Sequence, residues 1–404
     1  MRLRTLAVAA ALLAFTVAGA APAAAQTAAE LFDQNTIQEI RLSVNSRDLA
    51  TLRANTHLNT YYTADLSWKN VKVRNVGIRS RGQGSRNPIK PGLRVDINHY
   101  TTGQKFVGLS TIILDNIWQD DSLLRERLAF TMFEKLGEPA PRESFCRLYI
   151  NNEYFGLYTI TEEIDGDFVK RVTGETDGTV FEFHWFVDKQ WRAEDLGAVE
   201  MYKVLLEPRT HILDAESTLY APIQQLFKEV NGPDDAVWRS RVEQYIDLKQ
   251  LMTHIAIEQF LLDNDGFLGA QGMNNFYLYR FQGTQKHRLF VWDRDQSFIF
   301  QEGPIDTTNV NVLFRRALTH PDLRETYLST LETCARVALE NDFLLLEIDR
   351  LVAVIFDAAN ADTKKQFASE ADRFDRAVSF LREYAARRPA SVLSQVANIR
   401  KTGS

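Results

Sequence analysis

The chain has 404 residues, 45% of them hydrophobic and 25% charged, with a formal net charge of −6. Its 20 Gly and 11 Pro exclude a collagen-like or low-complexity chain. The acidic balance excludes a general nucleic-acid binder, which needs a basic face. The length allows two or three domains with cores that need no covalent staples.

Residues 1–25 read as a secretory signal peptide. Arg2 and Arg4 precede an uncharged, mostly apolar run from Leu6 to Ala20, and Ala23-Ala24-Ala25 supplies a small-residue cleavage site before Gln26. Cleavage near Ala25 leaves 45 basic against 53 acidic residues, a balance of −8. The expected location is therefore outside the cytoplasm: periplasm, cell surface or exterior. No later segment has the roughly eighteen uninterrupted apolar residues of a membrane span, so no stable anchor is expected after cleavage. Export permits a disulfide between Cys146 and Cys334, and two buried free thiols are an equally open alternative.

From Gln38 to about Gly108 the pattern is short and mostly alternating. It predicts strands at Thr63 to Trp68, Val71 to Ser80 and Leu93 to Asn98, with a helix over Ser46 to Ala54. Leu124, Leu128, Met132 and Leu136 recur at helical spacing, predicting a helix from Asp120 to Leu136 capped by Asp121 or Ser122 and stopped by Gly137 and Pro139. Phe145 to Asn151 and Tyr154 to Thr161 predict a hairpin turning at Asn152-Glu153, followed by a strand from Val180 to Phe186 and an exposed polar loop over Asp188 to Gly197. After Glu216 the pattern turns helical: 217–230, 248–262, 310–318, 323–340, 343–356, 361–386 and 390–399. A single pair of strands, Asn275 to Phe281 and Arg288 to Trp292, interrupts it. The expected class is α+β in two lobes, a mixed one of strands with one helix and a mainly helical one, with a ligand in the cleft between them. The expected divisions are 26–165, 166–312 and a helical extension at 313–404.

Polar residues gather around that single hairpin. An apolar helix runs into Asp263-Asn264-Asp265-Gly266, where carboxylates at a helix C-terminus are electrostatically unfavourable. Asn274 and Asn275 open the first strand, and Asp293-Arg294-Asp295 follows the second. Asp293 and Asp295 are two apart and point the same way if extended. Such oxygen ligands suit Mg²⁺ or Mn²⁺. The earlier stretch Arg81-Gly82-Gln83-Gly84-Ser85-Arg86 is either a solvated turn or a phosphate cradle. His184, His254 and His287 are scattered and read as structural or surface groups, and no histidine joins Asp293 and Asp295 to favour a zinc hydrolase.

From about Val76 to about Phe300 the sequence resembles the CotH kinase family, the spore coat protein H-like atypical protein kinases. The resemblance lies in Gly108-Leu109-Ser110, Leu114-Asp115-Asn116, Leu124 to Ala129, Gly137 to Arg142, Arg147 to Tyr158 and Glu162-Glu163-Ile164-Asp165. It continues in Asp265-Gly266-Phe267, Asn275 to Tyr279 and Trp292 to Asp295. It implies an atypical protein-kinase-like fold and transfer of the ATP γ-phosphate, with Mg²⁺ or Mn²⁺, to Ser or Thr of cell-surface or coat proteins. Asp265 would be the catalytic aspartate, and Asn275 and Asp293 would hold the metal with Asp295 nearby. Lys90 or Arg94 would meet the phosphates, with Glu126 as the cation's partner. The loop containing Arg81 and Ser85 would cover the phosphates, and Glu162 and Glu163 would lie at the adenine hinge. The chain departs from the family's pattern in being sparse in lysine over 87–94 and in having Asn264 where tryptophan often precedes the catalytic aspartate. The alternative implied is a pseudokinase-like binding or assembly protein of the cell envelope. Nothing in the sequence defines an oligomeric state.

Overall fold

The computed structural model describes residues 26–185, 190–305 and 310–402. The signal peptide expected over residues 1–25 lies outside them.

Seven strands close into a barrel. They are β1 (Gln38–Val44), β2 (Tyr62–Trp68), β3 (Val71–Ser80), β4 (Leu93–Asp96), β5 (Thr111–Asp115), β6 (Glu143–Ile150) and β7 (Glu153–Glu162), in the order β1-β2-β3-β4-β5-β7-β6. All neighbours are antiparallel except β1 and β6, whose parallel pairing sets Ile40 beside Leu148 and Leu42 beside Ile150 and completes the ring. Alternation drives this closure. Ile40, Leu42 and Val44 are buried while Glu39 and Ser43 face out, and the inward set meets Leu66, Trp68, Ile78, Val95, Leu114 and Tyr158 in one core. The buried Trp68 indole is satisfied by donating to Gln38 Oε1 at 2.9 Å. The β6–β7 turn is Asn151-Asn152, one residue before the expected position; both have positive φ, +51° and +65°, as a two-residue primed turn requires.

This architecture corrects the expected one. The molecule is α+β, but a closed mixed barrel replaces the mixed lobe of a two-lobed, kinase-like arrangement. The remainder is not a helical lobe with one hairpin, because β8 (Thr179–Phe183), β9 (Leu206–Pro208), β10 (Phe276–Arg280) and β11 (His287–Val291) form a four-stranded sheet in the order β11-β10-β8-β9. Barrel closure depends on pairing residues more than a hundred positions apart, to which local periodicity is blind.

The helix Leu248–Leu261 is buried on nearly every side, as an apolar helix without a polar face must be. It packs against the helices Pro321–Leu339 and Arg373–Thr402. Buried side chains reinforce the carbonyls of its last turn. Arg388, itself fully buried, donates to Gln259 O at 2.7 Å and Phe260 O at 3.1 Å, and the Tyr384 hydroxyl also donates to Phe260 O. The expected pair of helices at 361–386 and 390–399 is one helix, Arg373–Thr402, running through Pro389; residues 362–372 before it are not helical. The helix expected from Asp120 begins at Arg125, because the Asp120 carboxylate accepts from the Ser122 and Arg125 amides and holds 120–124 as a turn. In the described part of the 188–197 segment the chain is an irregular loop with Gln190, Glu194, Asp195 and Gly197 exposed as expected, but Trp191 and Ala193 are buried. Cys146 lies in the barrel core and Cys334 in the helical core, and both are free.

Candidate functional site

A cleft of about 670 Å³ opens where the barrel meets the four-stranded sheet. The barrel lines it with Arg79 and Arg94, paired across β3 and β4, with Arg81 and Ser85 from the segment after β3, and with Glu163 just past β7. The other wall carries Asp265, Asn274, Asn275, Tyr277, Trp292, Asp293 and Asp295.

The acidic wall is built around a buried arginine. Arg294, fully enclosed, reaches Glu258 Oε1 at 2.6 Å and Asp263 Oδ2 at 2.6 Å, and donates to Asn275 O at 2.7 Å. It thereby ties together the helix Leu248–Leu261, the loop that follows and the start of β10. Burial alone would raise the Glu258 carboxyl, but Arg294 and His254 hold it below its ordinary range. Asp263 thus has a structural explanation for its place at a helix end. Gly266 has one too, since a Cβ there would come within 2.7 Å of Glu258 Oε2.

Asp265 accepts from Asn275 Nδ2 at 3.0 Å. Its carboxyl is raised by burial, against the hydrogen bonds of Asn274 and Asn275 and the charge of Arg294. Asn275 and Asp293 both adopt left-handed backbone, φ +54° and +48°, a conformation that asparagine and aspartate tolerate better than other non-glycine residues. Asp293 is pushed up to about 7, by burial first and then by Asp115. Burial and Asp293 push Asp295 well above the usual carboxylate range, and burial, Glu143 and Asp293 do the same to Glu126. Carboxylates crowded out of water in this way repel one another, and a divalent cation relieves that repulsion. The donors, the Asp293 and Asp295 carboxylates and the Asn275 amide oxygen, are of the hard-oxygen type that Mg²⁺ or Mn²⁺ takes, so their chemistry fits that group.

The sequence-derived residues divide as follows. Asp265, Asn275, Asp293 and Asp295 come together, as do Arg81, Ser85, Arg94 and Glu163. Arg81 donates to Asp115 Oδ2 at 2.9 Å and lies 5.4 Å from the centre of the Trp292 ring. Arg94 pairs with Glu163 at 2.9 Å, so Glu163 and not Glu126 is its partner. Glu126 sits instead in an adjoining recess with Asp115 and Asp293. Glu162, the neighbour of Glu163 in sequence, points the other way and pairs with Arg142 at 2.7 Å and Arg171 at 2.6 Å. Lys90 is not in the cleft; it is wholly buried against Asp362 at 2.7 Å.

Sequence reasoning missed Arg209, Arg79 and Tyr277. Arg209 follows the three-residue β9, too short to show a period, yet it bridges Glu163 at 3.5 Å, Glu182 at 3.3 Å and Glu207 at 3.2 Å. Glu182 and Glu207 are cross-strand partners, and with His184 they offer three ligand atoms within 4.8 Å of one another at the cleft rim. The Arg209 guanidinium already compensates those carboxylates, so the trio is an ion-pair network rather than a vacant cation site. His254 pairs with Glu258, and His287 bonds the Tyr245 carbonyl at 2.7 Å; both are structural, as expected.

The chain belongs to the CotH kinase protein family, whose model matches residues 78–392. It is 23% identical over 367 residues to inner spore coat protein H of Bacillus subtilis (strain 168), an alignment that covers 87% of this chain and 95% of that protein.

Proposed function

We propose that the protein is an exported kinase that transfers the ATP γ-phosphate to Ser or Thr hydroxyls of coat or cell-surface proteins. The observation that carries this reading is the meeting of Asp265, Asn275, Asp293 and Asp295 on one wall of the cleft, facing Arg79, Arg81 and Arg94 on the other. In phosphoryl transfer, positioning and charge neutralisation supply most of the acceleration, and this cleft offers both. The acceptor oxygen bonds to the γ-phosphorus, the bond from that phosphorus to the β–γ bridging oxygen breaks, ADP leaves, and the hydroxyl proton passes to the Asp265 carboxylate. Asn274 and Asn275 orient that carboxylate, and burial keeps it more basic than an exposed aspartate. Asn275 and Asp293, with Asp295 beside them, would hold Mg²⁺ or Mn²⁺, which would offset phosphate charge. Coat or surface location rests on the name of the Bacillus subtilis relative and on the targeting character of residues 1–25. No helix among the described residues is long and apolar enough to cross a membrane.

A second reading, a pseudokinase-like assembly protein, is favoured by one observation. Arg94 is matched by Glu163 and Lys90 by Asp362, so two of the expected phosphate cations already have partners. Transfer of label from γ-labelled ATP with Mg²⁺ or Mn²⁺ separates the readings. We expect Asp265→Ala to lower the rate by roughly 10²–10⁴ and Asp293→Ala to abolish metal-dependent nucleotide binding. Wild-type protein that neither binds nor transfers, or full activity in both variants, would overturn the kinase reading.

A further inference from the structure

The segment that brings Arg81 and Ser85 to the cleft is fastened from behind to the C-terminal helices, through a contact that the proposed chemistry does not use. Lys90 Nζ meets Asp362 Oδ2 at 2.7 Å across 272 positions of sequence, and both side chains are 0% exposed. Asp362 immediately follows the helix Phe343–Ala361. Its carboxylate is fully engaged: Oδ2 also accepts from Leu157 N on β7 at 3.0 Å, and Oδ1 accepts from Lys364 N at 2.9 Å and Lys365 N at 3.0 Å. Gly156 admits it, since a Cβ there would lie 2.5 Å from Oδ2, and its φ of +126° disfavours any side chain.

The lysine side is equally fixed. Asn116 Nδ2 donates both to Lys90 O at 2.7 Å and to Ser85 O at 2.9 Å, so these two points within the segment hang on one amide. The Tyr158 hydroxyl donates to Pro91 O at 3.1 Å, its ring lies 5.1 Å from Lys90 Nζ, and Arg81 N donates to Gly92 O at 3.0 Å. A shift of Lys90 is therefore passed to Ser85 and Arg81. A fully buried ion pair adds little net stability over apolar residues of similar size, and its distinctive property is directional.

We propose that Asp362 is a positioning residue of the cleft: through Lys90 it fixes the 81–92 segment, so that the C-terminal helices set how tightly the cleft holds its ligand. The consequence for nucleotide rests on the kinase reading above, whereas the consequence for the segment does not.

The test uses the full chain carrying Lys90→Met with Asp362→Asn, which removes both charges and keeps an acceptor for Leu157 N. Three quantities are compared with wild type: melting temperature, amide exchange over 81–92 with β1 and β2 as internal reference, and the dissociation constant for MgATP. We expect a nearly unchanged melting temperature, exchange over 81–92 at least about tenfold faster, and MgATP binding weakened about tenfold as the competent position is depopulated. Exchange and affinity both within about twofold of wild type would overturn the proposal, since tenfold depopulation predicts far more. If wild type binds no nucleotide, the kinase reading fails and the exchange arm alone decides this one. If the double variant does not fold, Lys90→Met with Asp362→Leu is read in the same way; failure of both to fold would make the pair a stability element and also overturn the proposal.

Discussion

Arg294→Met is the sharpest probe of how the acidic wall is built. Methionine approximates the volume of the arginine stem, so the loss is one of charge and hydrogen bonding rather than of packing. In the native chain the guanidinium satisfies Glu258 and Asp263, whose side chains are 4% and 1% exposed, and also Asn275 O. Removing one member of a buried ion network strands its partners out of water and costs roughly 3–5 kcal/mol; here two carboxylates and a carbonyl are stranded together, placing the expectation in the upper half of that range. Urea unfolding at 25 °C measures it, with the slope unchanged if only stability has moved. Asp322→Ala, which breaks the exposed contact to Arg239, is the control and should cost no more than about 1 kcal/mol. Adding Glu258→Gln and Asp263→Asn to Arg294→Met should recover at least half the loss, because no charge is then buried alone. A loss from Arg294→Met no larger than the control would refute the reasoning.

Two further expectations concern titration and thiol chemistry. His184 should titrate above the ordinary imidazole range: burial opposes this, but the hydrogen bond that the ring donates to Glu207 at 2.7 Å, together with the charges of Glu182 and Glu207, outweighs it, while Glu207 itself is lowered to about 2. The sign follows. The pair's stabilisation is lost as pH falls through about 2, and lost again as pH rises through the elevated imidazole value. Imidazole NMR shifts against pH should show His184 moving down in Glu207→Gln; an unchanged midpoint would sink the assignment. Cys146 and Cys334, fully buried and with burial raising both thiols, should resist alkylation in the native chain and react as two free thiols after denaturation. A mass showing an intramolecular disulfide would contradict this.

The residues of the acidic wall were more legible in the sequence than the architecture, and the reason is locality. Asp265, Asn275, Asp293 and Asp295 stand in turns beside recognisable elements, so the wall they form could be read before its shape was known. The barrel could not be. Its closure rests on β1 and β6, and β5 is only five residues long, so neither periodicity nor turn chemistry announces the ring. Lys90 misled for a related reason. In sequence it resembles a phosphate cation beside Arg94, yet two prolines and the Asn87 side chain, which accepts from the Ile89 and Lys90 amides, turn it inward to a carboxylate far along the chain. Glu162 and Glu163 are adjacent and chemically identical, and only the end of β7 decides which one faces the cleft. Arg209 had no visible partner until β8 and β9 were paired.

The parallel seam between β1 and β6 also determines what can be removed from this protein. The span shared with the family model starts at residue 78, inside β3, and so leaves out β1, β2 and most of β3. A fragment trimmed to that span would open the ring. It would bare the hydrogen-bonding edge of β6 along with the apolar interior that Ile40, Leu42 and Leu66 cover in the whole chain. Uncovered edges of this kind recruit strands from other molecules. The recognisable family segment and the smallest piece that keeps the ring closed therefore differ, and the second begins at or before Gln38.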